Sequence, residues 1–503
     1  MGNSDYPRGR VRAAAAVTIG RVSGALSRRL RLGGGTSLPG TVARVIDPAI
    51  IRRLARQLAR GSIVVTGTNG KTTTSGLIAA ILRQAGLRVW RNREGSNLIG
   101  GVASALVIRA ELSGHLRRGD NTVAIFEVDE AAFPAVVREL QPRAIVITNL
   151  FRDQLDRYGE VETVAERWRA VLAELPPETT LALNADDPSI AALSEYFHGT
   201  VLYYGVNAAE YAITAQGKAS EQGQTIDART CPRCGTDLEY SIRYYSHVGH
   251  YTCPNCGQKR PAPVIQGLGV AKEQFDRQRL TIAIDAGPGQ ASGQTDGSAN
   301  GQADAQNASA QRGEALLSLP GFYNLYNALA AASAGRALGI DMDVILKGLE
   351  RFRPAFGRGE IIEAEGRMLR LMLAKNPTGF NEVLRTLLRE ESANHVLLVL
   401  NDNTADGHDI SWIWDVEFEM LASKKLALTI SGIRADDLAV RLKYGGSSGA
   451  VKNEIGEAIT YAIEHTPAGE TLYIVPTYTA MLSVRGELER RGYTPHYWEM
   501  ADN

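Results

Sequence analysis

The sequence predicts an α/β protein: a parallel-sheet domain built around a phosphate loop, interrupted by a four-cysteine ribbon, then a second, Rossmann-like α/β domain. Three observations carry this. A β-branched apolar run, Ser62–Thr66 (SIVVT), enters a glycine loop and then a helical pattern over residues 73–85. Four cysteines stand as C-x2-C-x18-C-x2-C at 231, 234, 253 and 256. A second series of buried runs, each closing on a polar loop, begins near residue 356.

The first 60 residues read as a basic helical segment. They hold twelve arginines and only two acids, Asp5 and Asp47, whereas the 503-residue chain balances 55 basic against 55 acidic residues. Overall neutrality argues against a bulk nucleic-acid binder. The segment is a poor signal peptide, because its apolar stretch at 13–19 is short and has arginine on both sides. From Ile19, the residues Val22, Leu26 and Leu30 recur at helical spacing, with Arg21, Arg28 and Arg31 on another face. That pattern fits a docking helix with a solvated face, and it also fits contact with an anionic membrane surface. No apolar run reaches 18 residues, so no transmembrane helix is expected.

Residues 61–355 read as the central domain. After the loop and helix come buried runs at 123–128 (VAIFEV), 144–148 (AIVIT) and 181–183, the last leading into the turn Asn184-Ala-Asp-Asp-Pro188. The cysteine ribbon occupies 227–262. Residues 285–313 are nearly all Gly, Ala, Gln, Ser, Asp and Asn, and are expected to be a disordered loop. Helices follow at 323–338 and 343–352. In the domain at 356–503, strands are expected at 395–400, 426–430 and 472–475.

The loop Gly67, Thr68, Asn69, Gly70, Lys71, Thr72, Thr73 has the chemistry of a nucleotide site. Glycines let backbone N–H groups approach phosphate, and the following helix adds its N-terminal dipole. Lys71 supplies a charge for the β/γ-phosphates, Thr72 a hydroxyl for Mg²⁺, and ATP is the expected ligand. The general pattern has glycine six residues before the lysine, and here Val65 stands there. Glu127 and Asp129 close the next buried run, where a carboxylate can hold Mg²⁺. Asn184, Asp186 and Asp187 form a further polar strand end, which turn chemistry alone explains equally well.

Cys231, Cys234, Cys253 and Cys256 have zinc-ribbon spacing, and Gly235 and Gly257 follow the two pairs. Four thiolates leave no open position, so a structural Zn²⁺ is expected. Disulfides are the weaker alternative in a chain that otherwise reads as cytoplasmic. With all four thiolates on zinc, the chain has no cysteine left for a glutaminase step.

Several segments, in order, resemble the Mur ligase superfamily: TGTNGKTTT (66–74), FEVDE (126–130), TNLFRDQLDRYG (148–159), NADDP (184–188), GFYNLYNALAA (321–331), RFRPAFGRGE (351–360) and LAKNPTGFNEV (373–383). The ribbon and the loop NDNTADGHDISWIWD (401–415) bring the resemblance to the MurT family. These are the ligase subunits of lipid II isoglutaminyl synthase, which work with a glutamine amidotransferase subunit, GatD. The resemblance covers nearly the whole chain except 285–313. It implies a Mur ligase central domain and ATP-dependent amidation of the D-Glu α-carboxylate of lipid II through an acyl phosphate. It implies nucleotide contacts from Asn324, Asn327 and Arg358, closure over ATP by a domain starting at Lys375 and Asn376, and Mg²⁺ on Thr72 and Glu127. One aspartate would assist the partner's Cys-His pair, with Asp409 and Asp415 as candidates.

Two departures stand out. The superfamily's D-H-x-D is Asp153-Gln154-Leu155-Asp156 here, and no lysine lies between 72 and 217 to be carbamylated. About 60 residues before the loop are few for a UDP-binding domain, which fits a lipid-linked substrate. Two other functions fit parts of the sequence: an amino-acid ligase resembling folylpolyglutamate synthase, and a zinc-ribbon ATPase acting on nucleic acid. The ribbon and missing lysine oppose the first, and neutral charge opposes the second.

Overall fold

The computed structural model describes residues 6–29, 37–92, 96–117, 121–152, 161–212, 228–274, 277–285, 310–354 and 358–495. Two large sheets organise them. The first has nine strands in the order β11-β10-β9-β6-β5-β4-β1-β3-β2. Its strands are β1 (Ser62–Thr66), β2 (Arg88–Arg91), β3 (Thr122–Glu127), β4 (Ala144–Ile147), β5 (Thr180–Asn184), β6 (Thr200–Val206), β9 (Ile265–Gln274), β10 (Arg277–Ile284) and β11 (Gln311–Leu317). All pairings from β2 to β9 are parallel, and β9, β10 and β11 pair antiparallel. The small sheet of β7 (Glu239–Tyr245) and β8 (Val248–Thr252) is an inserted hairpin.

Strand periodicity divides the core. In β1, Ile63 and Val65 join one apolar cluster and Val64 the other, as alternating side chains of a doubly covered parallel strand must. The helices α1 (Tyr6–Arg29), α2 (Leu38–Ile46) and α3 (Ile50–Ala55) precede β1, and α4 (Lys71–Gln84) follows it. The helices α5 (Ile99–Arg109), α6 (Phe133–Leu140) and α7 (Val161–Leu172) join α1–α3 on the Val64 face. On the other face lie α4, α8 (Tyr323–Ala337) and α9 (Met342–Arg351). Gly348 sits where an added Cβ would stand 2.5 Å from the Ile81 Cα, so α9 presses directly on α4.

The second sheet has the order β12-β13-β17-β14-β15-β16. Its strands are β12 (Arg358–Ala364), β13 (Arg367–Met372), β14 (His395–Val399), β15 (Ala427–Ser431), β16 (Ala450–Val451) and β17 (Thr471–Pro476). Only the β12–β13 pair is antiparallel. Helices α10 (Pro377–Leu388), α11 (Ala435–Tyr444), α12 (Ile455–Glu464) and α13 (Tyr478–Arg490) complete this α/β unit.

Two expectations need correction. The segment 285–313 is not all disordered loop: Gln311, Arg312 and Gly313 belong to β11, paired with Ile284, Ala283 and Ile282. An edge strand carries polar residues on its open side, so composition alone hid it. Residues 286–309 lie outside the described residues. The basic helix is also longer than its apolar spacing indicated, starting at Tyr6 instead of Ile19. No helix among the described residues is long and apolar enough to cross a membrane.

Candidate functional site

Strand β1 lies between β3 and β4, so the loops after all three converge. Their meeting point lines a cavity of about 450 Å³, whose opposite wall comes from the second sheet's domain. The phosphate loop crosses it. Gly67 and Gly70 have φ of +123° and +84°, a region that side chains disfavour. Close packing excludes them as well: a Cβ on Gly67 would stand 2.3 Å from Thr148 Oγ1, and one on Gly70 2.1 Å from Asn327 Oδ1.

Neighbouring loops fix the phosphate loop's shape. The Asn69 amide N–H donates to Asn149 Oδ1 at 2.8 Å, and Thr148 Oγ1 and Asn149 Nδ2 donate to the Asn69 carbonyl. Thr68 Oγ1 donates to the Phe151 carbonyl and accepts from its N–H. Asn149 was not singled out from the sequence; its place directly after β4 is the signal that could have found it.

Thr72 Oγ1 donates to Glu127 Oε2 at 2.7 Å, so the two residues expected at Mg²⁺ meet. Lys71 is buried and fully engaged. Its Nζ donates to the carbonyls of Gly67 and Thr68 at 2.6 and 3.2 Å, and to Glu130 Oε1 at 3.1 Å. Glu130, also missed in the sequence, is the carboxylate that faces the loop's lysine. Asp129 lines the same cavity.

Asn324 and Asn327, one turn apart on α8, both line the cavity. Asn327 Nδ2 donates to Asn324 Oδ1 at 2.8 Å, and Thr74 Oγ1 donates to Asn327 Oδ1 at 3.3 Å. From the second domain, Lys375 lines the cavity. Asn376 caps α10 by accepting from Gly379 N–H at 2.8 Å. It also exchanges paired amide hydrogen bonds with Asn69 at 3.0 and 3.2 Å, which join the second domain to the phosphate loop. Glu382 on α10 is a buried lining residue bonded to Arg385 at 2.5 Å. Burial raises the Glu382 carboxyl above its usual range even though Arg385 pulls the other way.

The Arg358 side chain and residues 153–156, including Gln154, lie outside the described residues. Asp409 and Asp415 are exposed on the loop after β14, away from the cavity lining. A bond from Ser411 holds the Asp409 carboxyl below its usual range.

Asn184 and Asp186 do not reach the cavity as expected of nucleotide contacts. Both are fully buried and committed to protein partners. Asn184 Oδ1 accepts from Asp186 N–H at 3.0 Å. Asp186 accepts from Arg260 Nε at 2.5 Å, Tyr326 OH at 2.7 Å and Val206 N–H at 2.8 Å. Asp187 caps the turn Pro188–Ala191 and stands 3.3 Å from His247 Nε2. These acids dock the β7–β8 hairpin onto the sheet, a non-local task that no local spacing reveals. The hairpin's Tyr245 then lines the cavity beside the phosphate loop.

The four cysteines do come together. Their Sγ atoms lie within 4.8 Å of one another, with Cys231–Cys256 at 3.6 Å and Cys234–Cys253 at 3.5 Å. Tetrahedral zinc at about 2.3 Å from each sulfur would separate the sulfurs by roughly 3.8 Å. Two matching knuckles present them, with Gly235 N–H bonded to the Cys231 carbonyl and Gly257 N–H to that of Cys253. Both glycines have φ near +70°, at +73° and +72°. The donor set and spacing fit a closed tetrahedral zinc site.

Residues 65–253 match the Mur ligase middle domain family, and residues 373–481 match the MurT ligase C-terminal family. A curated relative from Staphylococcus aureus (strain COL), lipid II isoglutaminyl synthase (glutamine-hydrolyzing) subunit MurT, is 31% identical over 470 residues, or 91% of this chain and 93% of the relative. The protein of that name from Streptococcus pneumoniae is 32% identical over 479 residues, covering 94% and 97%. Among solved structures, a pseudomurein peptide ligase type C from Methanothermus fervidus aligns with a TM-score of 0.61 at 23% identity, covering 86% of this chain and 78% of that one. MurF ligase from Thermotoga maritima in complex with ADP aligns at 0.58 and 13% identity, covering 88% and 84%. At those identities the structures speak for the fold alone, which is that of the Mur ligases. The matches to the MurT relatives extend over more than nine-tenths of both chains, through both sheets, and the chain therefore belongs to the MurT family.

Proposed function

We propose that this chain is the ATP-dependent ligase subunit of a lipid II isoglutaminyl synthase in peptidoglycan biosynthesis. It would amidate the D-Glu α-carboxylate of lipid II to D-isoglutamine. The observation that carries the reading is the cavity formed jointly by the phosphate loop and the Lys375–Asn376 segment, in a chain of the MurT family.

In this reading residues 61–355 bind ATP and residues 356–503 close over it, behind the basic segment 1–60. Backbone N–H groups of residues 67–73 and the α4 dipole hold the triphosphate. Lys71 leaves its carbonyl partners for phosphate oxygens. Thr72 and Glu127 would hold Mg²⁺, which would offset charge on the transferring phosphoryl group. Asn324 and Asn327 hold the nucleoside from α8, with Arg358 near the phosphates. Lys375 steadies the acyl phosphate formed when the substrate carboxylate attacks the γ-phosphorus and ADP leaves. Ammonia then attacks the acyl carbon and expels phosphate. The cavity's two-domain wall limits hydrolysis by water.

The four cysteines are the only ones in the chain, and on structural zinc none can serve as a glutaminase nucleophile. A GatD-type amidotransferase would supply ammonia. Asp409 or Asp415, both exposed, would complete its Cys-His pair. The test is the purified chain with a GatD-type subunit, ATP, Mg²⁺, glutamine and lipid II, read by mass spectrometry and ADP release. Amidated lipid II and carboxylate-dependent ADP release are expected. No such release, with glutamine or with ammonium, would defeat the ligase reading. Separate Asp409→Ala and Asp415→Ala variants, assayed with glutamine and with ammonium, identify the residue that serves the partner.

A further inference from the structure

Helix α1 buries one face and leaves another apolar face exposed. Ala13, Ala16, Val17, Gly20, Gly24 and Ser27 are buried. The contact with α2 is close enough that a Cβ on Gly20 would stand 2.5 Å from the Pro39 carbonyl oxygen, and one on Gly24 2.5 Å from Pro39 Cγ. Arg12 Nε donates to the Ile46 carbonyl at 2.6 Å and Arg21 to the Ala110 carbonyl at 2.9 Å. The helix therefore has one fixed rotation about its axis.

On the opposite side, Val11, Ile19, Val22 and Leu26 are 71%, 49%, 61% and 55% exposed. At about 100° per residue they share an arc of roughly 80°. Arg12 and Arg21 flank the arc on its two sides, and Arg29 stands at its end. Helix α1 has six arginines and no acid. A second copy packed on this stripe would set arginines against arginines.

We propose that α1 lies flat on an anionic lipid bilayer, with the Val11–Ile19–Val22–Leu26 stripe in the interface and arginines on the lipid phosphates. Apolar burial and headgroup attraction act together in such a helix. The proposal goes beyond the ligase reading, because it stands on the geometry of α1 and not on the cavity.

The test is co-sedimentation of the full chain with phosphatidylglycerol-containing vesicles and with pure phosphatidylcholine vesicles, at low and high salt. Binding only to the anionic vesicles, weakened by salt, is expected. Val22→Glu with Leu26→Glu should weaken it by about tenfold or more, and Arg29→Gln by about fivefold. Val22→Ser with Leu26→Ser is the milder variant should the glutamates disturb folding, and matching melting curves verify each. Equal binding to neutral vesicles, no binding, or unchanged binding by the stripe variants would overturn the proposal. So would light scattering that shows a dimer dispersed by those variants. Amidation of detergent-dispersed lipid II should be unaffected, so failure here and failure of the ligase reading are distinct results.

Discussion

Replacing Lys71 by methionine should destabilise the protein before any nucleotide is present. The ammonium is buried and its three donors meet three acceptors: two loop carbonyls and Glu130 Oε1. At 3.1 Å and an effective dielectric of about 20, the Coulomb attraction to Glu130 is ~5 kcal/mol, mostly offset by desolvation of the two ions. Methionine keeps the aliphatic stem but leaves Glu130 as an uncompensated buried charge. Breaking one side of such a pair costs about 3–5 kcal/mol. For a domain of this size, with an unfolding entropy of about 0.6 kcal/mol per kelvin, that lowers the first melting transition by roughly 5–8 °C. Adding Glu130→Gln removes the stranded charge and should recover more than half of the loss, without restoring ATP binding. The assay is circular-dichroism melting without nucleotide, paired with calorimetric ATP titration. Lys71→Met melting within about 2 °C of the parent, or a double variant no more stable than the single one, would refute the reasoning.

Three further outcomes are expected. Cys231→Ser, or a strong chelator added to the parent, should lower the melting temperature, with metal analysis giving one zinc per chain in the parent; unchanged melting would remove the structural zinc. Gly70→Ala should cost about 2–4 kcal/mol in urea unfolding, from positive φ and the clash with Asn327; adding Asn327→Ala should relieve only the clash. Glu382 has a folded-state pKa raised by burial, so the folded protein binds its proton more tightly than the unfolded chain. Its contribution therefore turns unfavourable as pH rises through 4.5 and beyond, and Glu382→Gln should flatten the stability–pH curve there, as read from urea melts across that range.

What the sequence made legible was what short-range chemistry determines. The phosphate loop, its flanking strand and helix, the Thr72–Glu127 meeting and the cysteine knuckles each depend on neighbours within a few residues or on one parallel pairing. The failures lie where distant segments meet. Glu130 follows the expected acids by one residue, and only the path of the chain after β3 turns it toward Lys71. Asn184 and Asp186 sit at a strand's carboxyl end, as ligand-binding residues do, but the inserted hairpin returns to cover them. The Asp186 partners Tyr326 and Arg260 are 140 and 74 residues away. β11 was hidden because an edge strand with one open face has the polar composition of a loop.

The hairpin has a thermodynamic consequence. One piece of chain runs from the cysteine knuckles to Tyr245 in the cavity wall. A metal in the ribbon and a nucleotide in the cavity would then both adjoin the same hairpin. If metal tightens nucleotide binding by some factor through the hairpin's order, nucleotide must tighten metal binding by the same factor. In that case a chain saturated with ATP would surrender its zinc more reluctantly than an empty one.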